Sequence, residues 1–438
     1  MAKRIILLLD GTWNDADDGG ADTNIVRLRQ RIAEHLSNAD NRATSDVISS
    51  SGGDRQTFVL KGGKNGGLEN FVFYERGIGT SGFLDRFKGG AFGLGLSDNV
   101  RRAYTFLAQH YDEEDEIYIF GFSRGSYTAR SLVGCLAAVG LVHRDKFDAK
   151  ALSLLWAHYR THPADRLPRD EIRLREMSSG PLSVPVKVLA VFDTVGALGI
   201  PLSAFWKENR DLYGFHDVGL SEICQHSLQA LAIDEHREAF EATLWRRLPF
   251  TARRANVEQV WFAGAHADVG GGYDRSGAHH LDDITLDWMT RRVVGIAGSD
   301  FPLDLPPEVL PDCCAAAPQH EPRRGVYRLM PHVYRSIGNL PVPVAARPLE
   351  RNVCFDRHAK PIGEAIHISA IERLGLSVRI DGSDATYAPR NLVAALQQQV
   401  ATKGGVAVVD WDASPIEDAH LAEQLIKRAL ERARVSHS

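Results

Sequence analysis

Four short apolar runs in this chain end in the same way, and that repetition constrains the fold more than any other feature. "KRIILLL" at 3–9 runs into Asp10-Gly11-Thr12, and "EIYIF" at 116–120 runs into Gly121-Phe122-Ser123-Arg124-Gly125. "VPVKVLAVF" at 184–192 ends at Asp193-Thr194-Val195-Gly196, and "VEQVWFA" at 257–263 ends at Gly264-Ala265-His266-Ala267-Asp268. Short continuous apolar runs closed by turn residues read as strands buried on both faces, as in a parallel sheet. Helical spacing fills the gaps between them, as in "DTNIVRLRQRIAEHL", where Ile25, Leu28, Ile32 and Leu36 share one face. The alternation predicts an α/β fold with a mainly parallel central sheet and helices on both faces. "SLQALAIDEHREAF" at 227–240 reads as a further helix, with His236 in its middle as a structural residue.

In such a sheet, ligands collect at the carboxyl ends of the strands. The polar groups there follow the chain order Ser, Asp, His. Ser123 lies in G-F-S-R-G, between a strand and a helix, which is the setting of a nucleophile elbow. A serine hydroxyl needs a histidine to take its proton, and the histidine needs a carboxylate to fix its tautomer. His266 is the candidate base, in a glycine run expected to let the imidazole swing towards the serine. Asp193 is the candidate acid, with Asp217 and Asp234 as alternatives. The oxyanion donors expected are the N–H of Arg124 and one from Gly11 or Thr12. The Arg124 side chain has two readings, a contact to a substrate phosphate or carboxylate, or an ion pair with Asp10. Asp10 and Asp268 are read as residues that order the loops, with Asp268 also open to a ligand or acid role. Apolar segments at about 141–180 and 197–225 are candidate cap insertions. From them Trp156, Phe205 and Trp206 are candidate substrate contacts.

Composition narrows the class. A formal net charge of −5 offers no basic surface for nucleic acid. The five cysteines, Cys135, Cys224, Cys313, Cys314 and Cys354, show no framework spacing and are expected as free thiols. The apolar start stops at Asp10, too short for a signal peptide, and no run approaches a membrane span. The expectation is synthesis in the cytoplasm, with export as a folded protein left open. No metal or cofactor is implied.

The strings "LLLDGTWND", "YERGIGT", "GGAFGLGL", "IFGFSRGSYTAR", "VFDTVGALG", "ALAIDEHREAF" and "VWFAGAHADVGGGY" together resemble a bacterial and fungal α/β-hydrolase-domain family that includes phospholipase effectors of type VI secretion systems. The resemblance implies an α/β-hydrolase-like domain over about 1–395, and the remaining 396–438 reads as an extension whose amphipathic helix packs on it. It places the family's serine, aspartate and histidine on Ser123, Asp193 and His266. It implies hydrolysis of esters, with phospholipid substrates at a membrane surface and, for an effector, a secretion or immunity partner. Two other readings compete: a metal-dependent hydrolase built on Asp10, Asp193 and Asp268, and a binding module without catalysis. A phosphatase reading of "LLLDGTW" fails because Leu8 stands where its nucleophilic aspartate is needed.

Overall fold

The computed structural model describes residues 2–11, 21–39, 44–49, 56–62, 68–76, 91–161, 165–178, 184–195, 220–245, 256–275, 279–305, 315–329, 331–338, 362–402 and 406–435. Strand β1 (Lys3–Leu9) and helix α1 (Asn24–Ala39) are followed by β2 (Thr44–Ser49), β3 (Gln56–Gly62) and β4 (Glu69–Glu75). Helix α2 (Ala91–His110) leads to β5 (Glu116–Phe122). Helices α3 (Arg124–Val139), α4 (Ala149–Arg160) and α5 (Pro168–Met177) precede β6 (Val186–Phe192). Strands β7 (Cys224–Ala232) and β8 (Asn256–Phe262) come before the one-turn helix α6 (His266–Gly270) and the long α7 (Leu281–Ala297). The remainder holds β9 (Glu364–His367), α8 (Ile368–Arg373), the hairpin β10 (Ser377–Ile380) and β11 (Ser383–Thr386), α9 (Arg390–Thr402), β12 (Ala407–Val409) and α10 (Ala419–Val435).

Ten strands form one sheet in the order β12-β9-β8-β7-β6-β5-β1-β4-β3-β2. From β12 to β4 every neighbouring pair is parallel, and β3 and β2 close that edge antiparallel. This is the mainly parallel sheet that the apolar runs predict. Strand neighbours alternate their faces, so Ile6, Leu8, Tyr118 and Phe120 pack with Ile25, Leu28 and Ile32 of α1 and Trp288 and Val293 of α7. Ile5, Leu7, Ile117 and Ile119 enter the opposite layer, with Leu107 of α2, Leu132 of α3 and Trp156 of α4. Trp261, Ile366 and Val408 join Leu396 and Ile426 at the far end. The order of connection reverses beside β1: β4 is added on one side of it and β5 on the other. The crevice at such a reversal is the usual ligand position in this architecture.

One element differs from expectation. Residues 224–232 are strand β7, paired with β6 and β8, and only Glu238–Phe240 forms a helical turn. Leu, Gln and Ala are good helix formers, which makes the segment read as a helix. Tertiary partners decide otherwise. Gln229 is buried and accepts from Thr194 Oγ1 at 2.7 Å and Arg130 Nη1 at 3.2 Å. Its Nε2 donates to Thr243 O at 3.2 Å. A polar side chain so satisfied can occupy an interior strand.

The described part of the expected cap at 141–180 is built from α4 and α5, whose Leu155, Trp156 and Leu174 lie in the core layer beside α3. The second expected cap, 197–225, lies outside the described residues except at 220–225. The domain boundary expected at residue 395 falls inside α9, and β12 beyond it is the last strand of the main sheet. Cys135 and Cys224 are buried free thiols; Cys313, Cys314 and Cys354 lie outside the described residues.

Asp234 stitches the C-terminal layer to the sheet. Its Oδ2 accepts from Gly264 N at 2.7 Å and from Tyr387 Oη at 2.9 Å. Burial pushes its pKa from 3.8 up to about 7, against the pull of those hydrogen bonds. The folded state therefore holds the proton more tightly than the unfolded chain does. That contribution to stability is full below about pH 4 and is lost as pH rises through about 7.

Two stability measurements follow from these contacts. A Cβ on Gly125 would lie 2.0 Å from Leu9 O, whereas one on Gly295, within α7, meets nothing within 4 Å. Gly125→Ala is expected to lose about 3 kcal/mol or more through overpacking, while Gly295→Ala gains about 0.5–1 kcal/mol, both read by denaturant unfolding. Asp234→Asn should shrink the fall in melting temperature between pH 5 and pH 8; an unchanged fall would remove Asp234 as its source.

Candidate active site

The strand β5 ends in a sharp reversal into α3, and Ser123 stands at it with φ 57° and ψ −119°. A positive φ is unfavourable for a side chain with a Cβ and persists only where the surroundings dictate it. Here they do. Gly125 packs its Cα against Leu9 O, so the helix start lies directly on β1. Ser123 N donates to Phe192 O of β6 at 3.1 Å, and Ser126 Oγ donates to the same carbonyl at 2.9 Å. The turn therefore presents Ser123 Oγ above the strand ends, at the N-terminus of α3.

His266 Nε2 lies 2.8 Å from Ser123 Oγ, and its Nδ1 lies 2.6 Å from Asp193 Oδ2. The structure thus brings together the serine, histidine and aspartate that end β5, β8 and β6. The imidazole is not carried on a swinging loop. His266 is the first residue of α6, stacked on Phe122 with ring centroids 4.8 Å apart and met edge-on by Phe240 at 5.2 Å. Gly270 serves this packing: a Cβ there would lie 1.9 Å from the Phe122 ring. Gly270, within the glycine run expected to confer mobility, instead makes room for an aromatic wall.

Asp193 also has a positive φ, 40°, and has no exposed surface. Burial pushes its carboxyl up, but Arg335 and His266 outweigh burial and hold it well below the usual carboxylate range. Oδ1 accepts from Ala232 N at 3.0 Å and Arg335 Nη1 at 2.5 Å, and Oδ2 accepts from Arg335 Nη2 at 3.0 Å. Sequence reasoning missed Arg335. It lies 142 residues from Asp193 in "HVYRSIG", where neither periodicity nor a motif marks it. Of the alternative acids, Asp234 is engaged with Gly264 and Tyr387, and Asp217 lies outside the described residues.

The remaining expected site residues divide. Gly11 lies against the serine, its Cβ position 3.4 Å from Ser123 Cβ. Its N–H, however, donates to Asp10 Oδ1 at 2.7 Å, which corrects its assignment as an oxyanion donor. Thr12, Phe205 and Trp206 lie outside the described residues. Trp156 is core, with the Arg101 guanidinium over its ring at 4.7 Å and Tyr159 at 5.6 Å. Asp10 is held by Gly11 N, by Thr23 Oγ1 at 2.9 Å and by Tyr74 Oη at 3.0 Å, and its partners do not include Arg124. Burial pulls the Arg124 guanidinium down to about 9. Asp268 accepts from Ala265 N at 2.9 Å and faces His320 Nδ1 at 2.7 Å, so it closes the start of α6. Asp10, Asp193 and Asp268 each have separate partners, and among the described residues no group of three or more His, Cys, Asp or Glu converges as metal ligands would. His236 follows β7 rather than sitting within a helix, its ring 4.3 Å from His332 and 5.3 Å from Tyr334. Among the described residues no helix is long and apolar enough to cross a membrane.

The chain is 26% identical over 203 residues to an uncharacterized protein of Saccharomyces cerevisiae, YEL023C, across 42% of this chain and 28% of the yeast protein. Among solved structures it is similar to a Tle1 effector bound to the VgrG spike of the type 6 secretion system, with 18% identity and a TM-score of 0.33 over 64% of this chain and 52% of that one. It is also similar to an uncharacterized protein from Pseudomonas aeruginosa, with 17% identity and a TM-score of 0.39 over 70% of this chain and 47% of that one. The chain thus spans about half of each solved neighbour and a smaller share of the yeast protein. The model for the type VI secretion phospholipase effector Tle1-like catalytic domain matches residues 3–292, and the chain belongs to that family.

Proposed function

We propose that this chain is a serine hydrolase of carboxylic esters, with lipid or phospholipid substrates. One observation carries the reading: the unbroken series Ser123 Oγ, His266 Nε2, His266 Nδ1 and Asp193 Oδ2, with separations of 2.8 and 2.6 Å, on a strained strand–helix turn. Membership of a phospholipase effector family supports the lipid class and delivery by a type VI secretion machine.

The chemistry follows from the positions. His266 Nε2 takes the Ser123 proton as Oγ attacks the ester carbonyl, and Asp193 stabilises the imidazolium that forms. The carbonyl oxygen becomes an oxyanion at the start of α3, where the N–H of Arg124 and the positive end of the helix meet it. One such donor is worth roughly 10²–10³ in kcat. Thr12 is the remaining candidate for a second donor. His266 then passes its proton to the leaving alcohol, and a water activated by the same imidazole frees the acid from Ser123.

Ser123→Ala should lower ester and phospholipid hydrolysis by about 10⁴-fold or more while the melting temperature holds. A fluorophosphonate should label wild type at Ser123, located by peptide mass spectrometry; near wild-type turnover in the alanine variant would sink the nucleophile assignment. Asp193→Asn should lower kcat by about 10³–10⁴-fold, whereas Asp268→Asn should lower it far less; the reverse ranking would reassign the acid.

A further inference from the structure

Arg335 does more than fill space next to Asp193. Its side chain is 3% exposed and makes four hydrogen bonds through two nitrogens. Two go to the two oxygens of Asp193, at 2.5 and 3.0 Å. The others go to Ala232 O at 2.9 Å and Phe240 O at 2.6 Å. Asp193 Oδ2 thus serves two donors, His266 Nδ1 and Arg335 Nη2. This clamp fixes both the rotation of the carboxylate and its charge.

The charge has a kinetic consequence. A buried carboxylate alone beside an imidazole strongly favours the imidazolium. An imidazole protonated before substrate arrives has no lone pair for the Ser123 proton. A guanidinium is permanently cationic, and one on the same carboxylate opposes that early protonation. Two further carboxylates lie near His266, and each has partners of its own: Asp268, two residues on in α6, faces His320 Nδ1 at 2.7 Å, and Glu235 is held by Arg237. Glu235 Oε2 lies 3.4 Å from His266 N, and Arg237 binds both oxygens of Glu235, at 2.8 and 2.7 Å. Burial and His332 push His236 down to about 4, so it adds no charge near neutral pH. Phe122 and Phe240 cover the ring itself. Among the described residues, the Asp193–Arg335 pair is therefore the charge balance that the imidazole Nδ1 meets.

We infer that Arg335 is a positioning residue that acts through Asp193, aiming the carboxylate at His266 Nδ1 and keeping the imidazole free to accept the Ser123 proton. The inference rests on the serine-hydrolase reading above. It names a residue that lies beyond the 3–292 span matched by the family model.

The test is the pH profile of kcat/KM on a soluble aryl ester for wild type, Arg335→Lys, Arg335→Met, Asp193→Asn and the Asp193→Asn/Arg335→Met double variant. Arg335→Met should move the acidic limb upwards by about one pH unit or more. Arg335→Lys keeps the cation and should leave the limb near its wild-type position while lowering kcat, because it loses the two-point clamp. In the Asp193→Asn background, Arg335→Met should cost less than about threefold in labelling rate by a fluorophosphonate, since residues acting as a unit are non-additive. An acidic limb that stays put in Arg335→Met, or a loss in the Asp193→Asn background as large as in wild type, overturns the inference and leaves Arg335 a structural residue. If Arg335→Met does not fold, the Asp193→Asn pair decides, because the double variant buries no unpaired charge. Failure of Ser123 to be labelled in wild type would instead remove the hydrolase reading. A labelled Ser123 with unmoved profiles removes only the role of Arg335.

Discussion

Asp193 has no exposed surface, and a carboxylate in that position is costly to hide unless its lone pairs are used. Four donors use them: Ala232 N from the end of β7, two nitrogens of Arg335, and His266 Nδ1 from α6. Those partners lie 39, 73 and 142 residues beyond Asp193 in the chain. The end of β6, the end of β7, the start of α6 and the segment around Arg335 are thereby held in one arrangement. The orientation of His266, and through it the approach to Ser123, depends on that buried charge being satisfied.

The second constraint is steric. Ser123 keeps an unfavourable backbone because Gly125 lets the start of α3 rest on the carbonyl of Leu9, and because β6 receives the Ser123 N–H. The sheet order supplies the location. β1 and β5 flank the point where strand addition reverses, so the turns after both strands open into one crevice. Gly11 and Ser123 meet there. A strained backbone at Ser123, an aromatic bed for the imidazole and a clamped carboxylate then combine into one preformed arrangement.

Much of the fold was legible because buried parallel strands write themselves as apolar runs. β1, β5, β6 and β8 were readable within a residue or two, and the apolar face of α1 was readable from its spacing. β7 was not, since its Ser227 and Gln229 break the apolar signal while its Leu, Gln and Ala suit a helix. What makes it a strand is a set of partners, Thr194, Arg130 and Thr243, that no local window contains. β9 and β12, of four and three residues, are too short to carry a period. The glycines around His266 were legible as a special loop, but their purpose was misread. At Gly270 the requirement is space for the Phe122 ring, which is set by tertiary packing.

By itself the sequence determined the alternation of strands and helices, the polar strand ends and the chain order of Ser123, Asp193 and His266. Those features are local, written in periodicity and in glycine spacing, so they survive without neighbours. Only the tertiary structure decided that Gly11 gives its N–H to Asp10, that Trp156 belongs to the core, and that Arg335 clamps Asp193. Each of these is a choice of partner across a long stretch of chain. A buried polar group must find such a partner somewhere, but the residue type alone does not say which one will be near when the sheet closes.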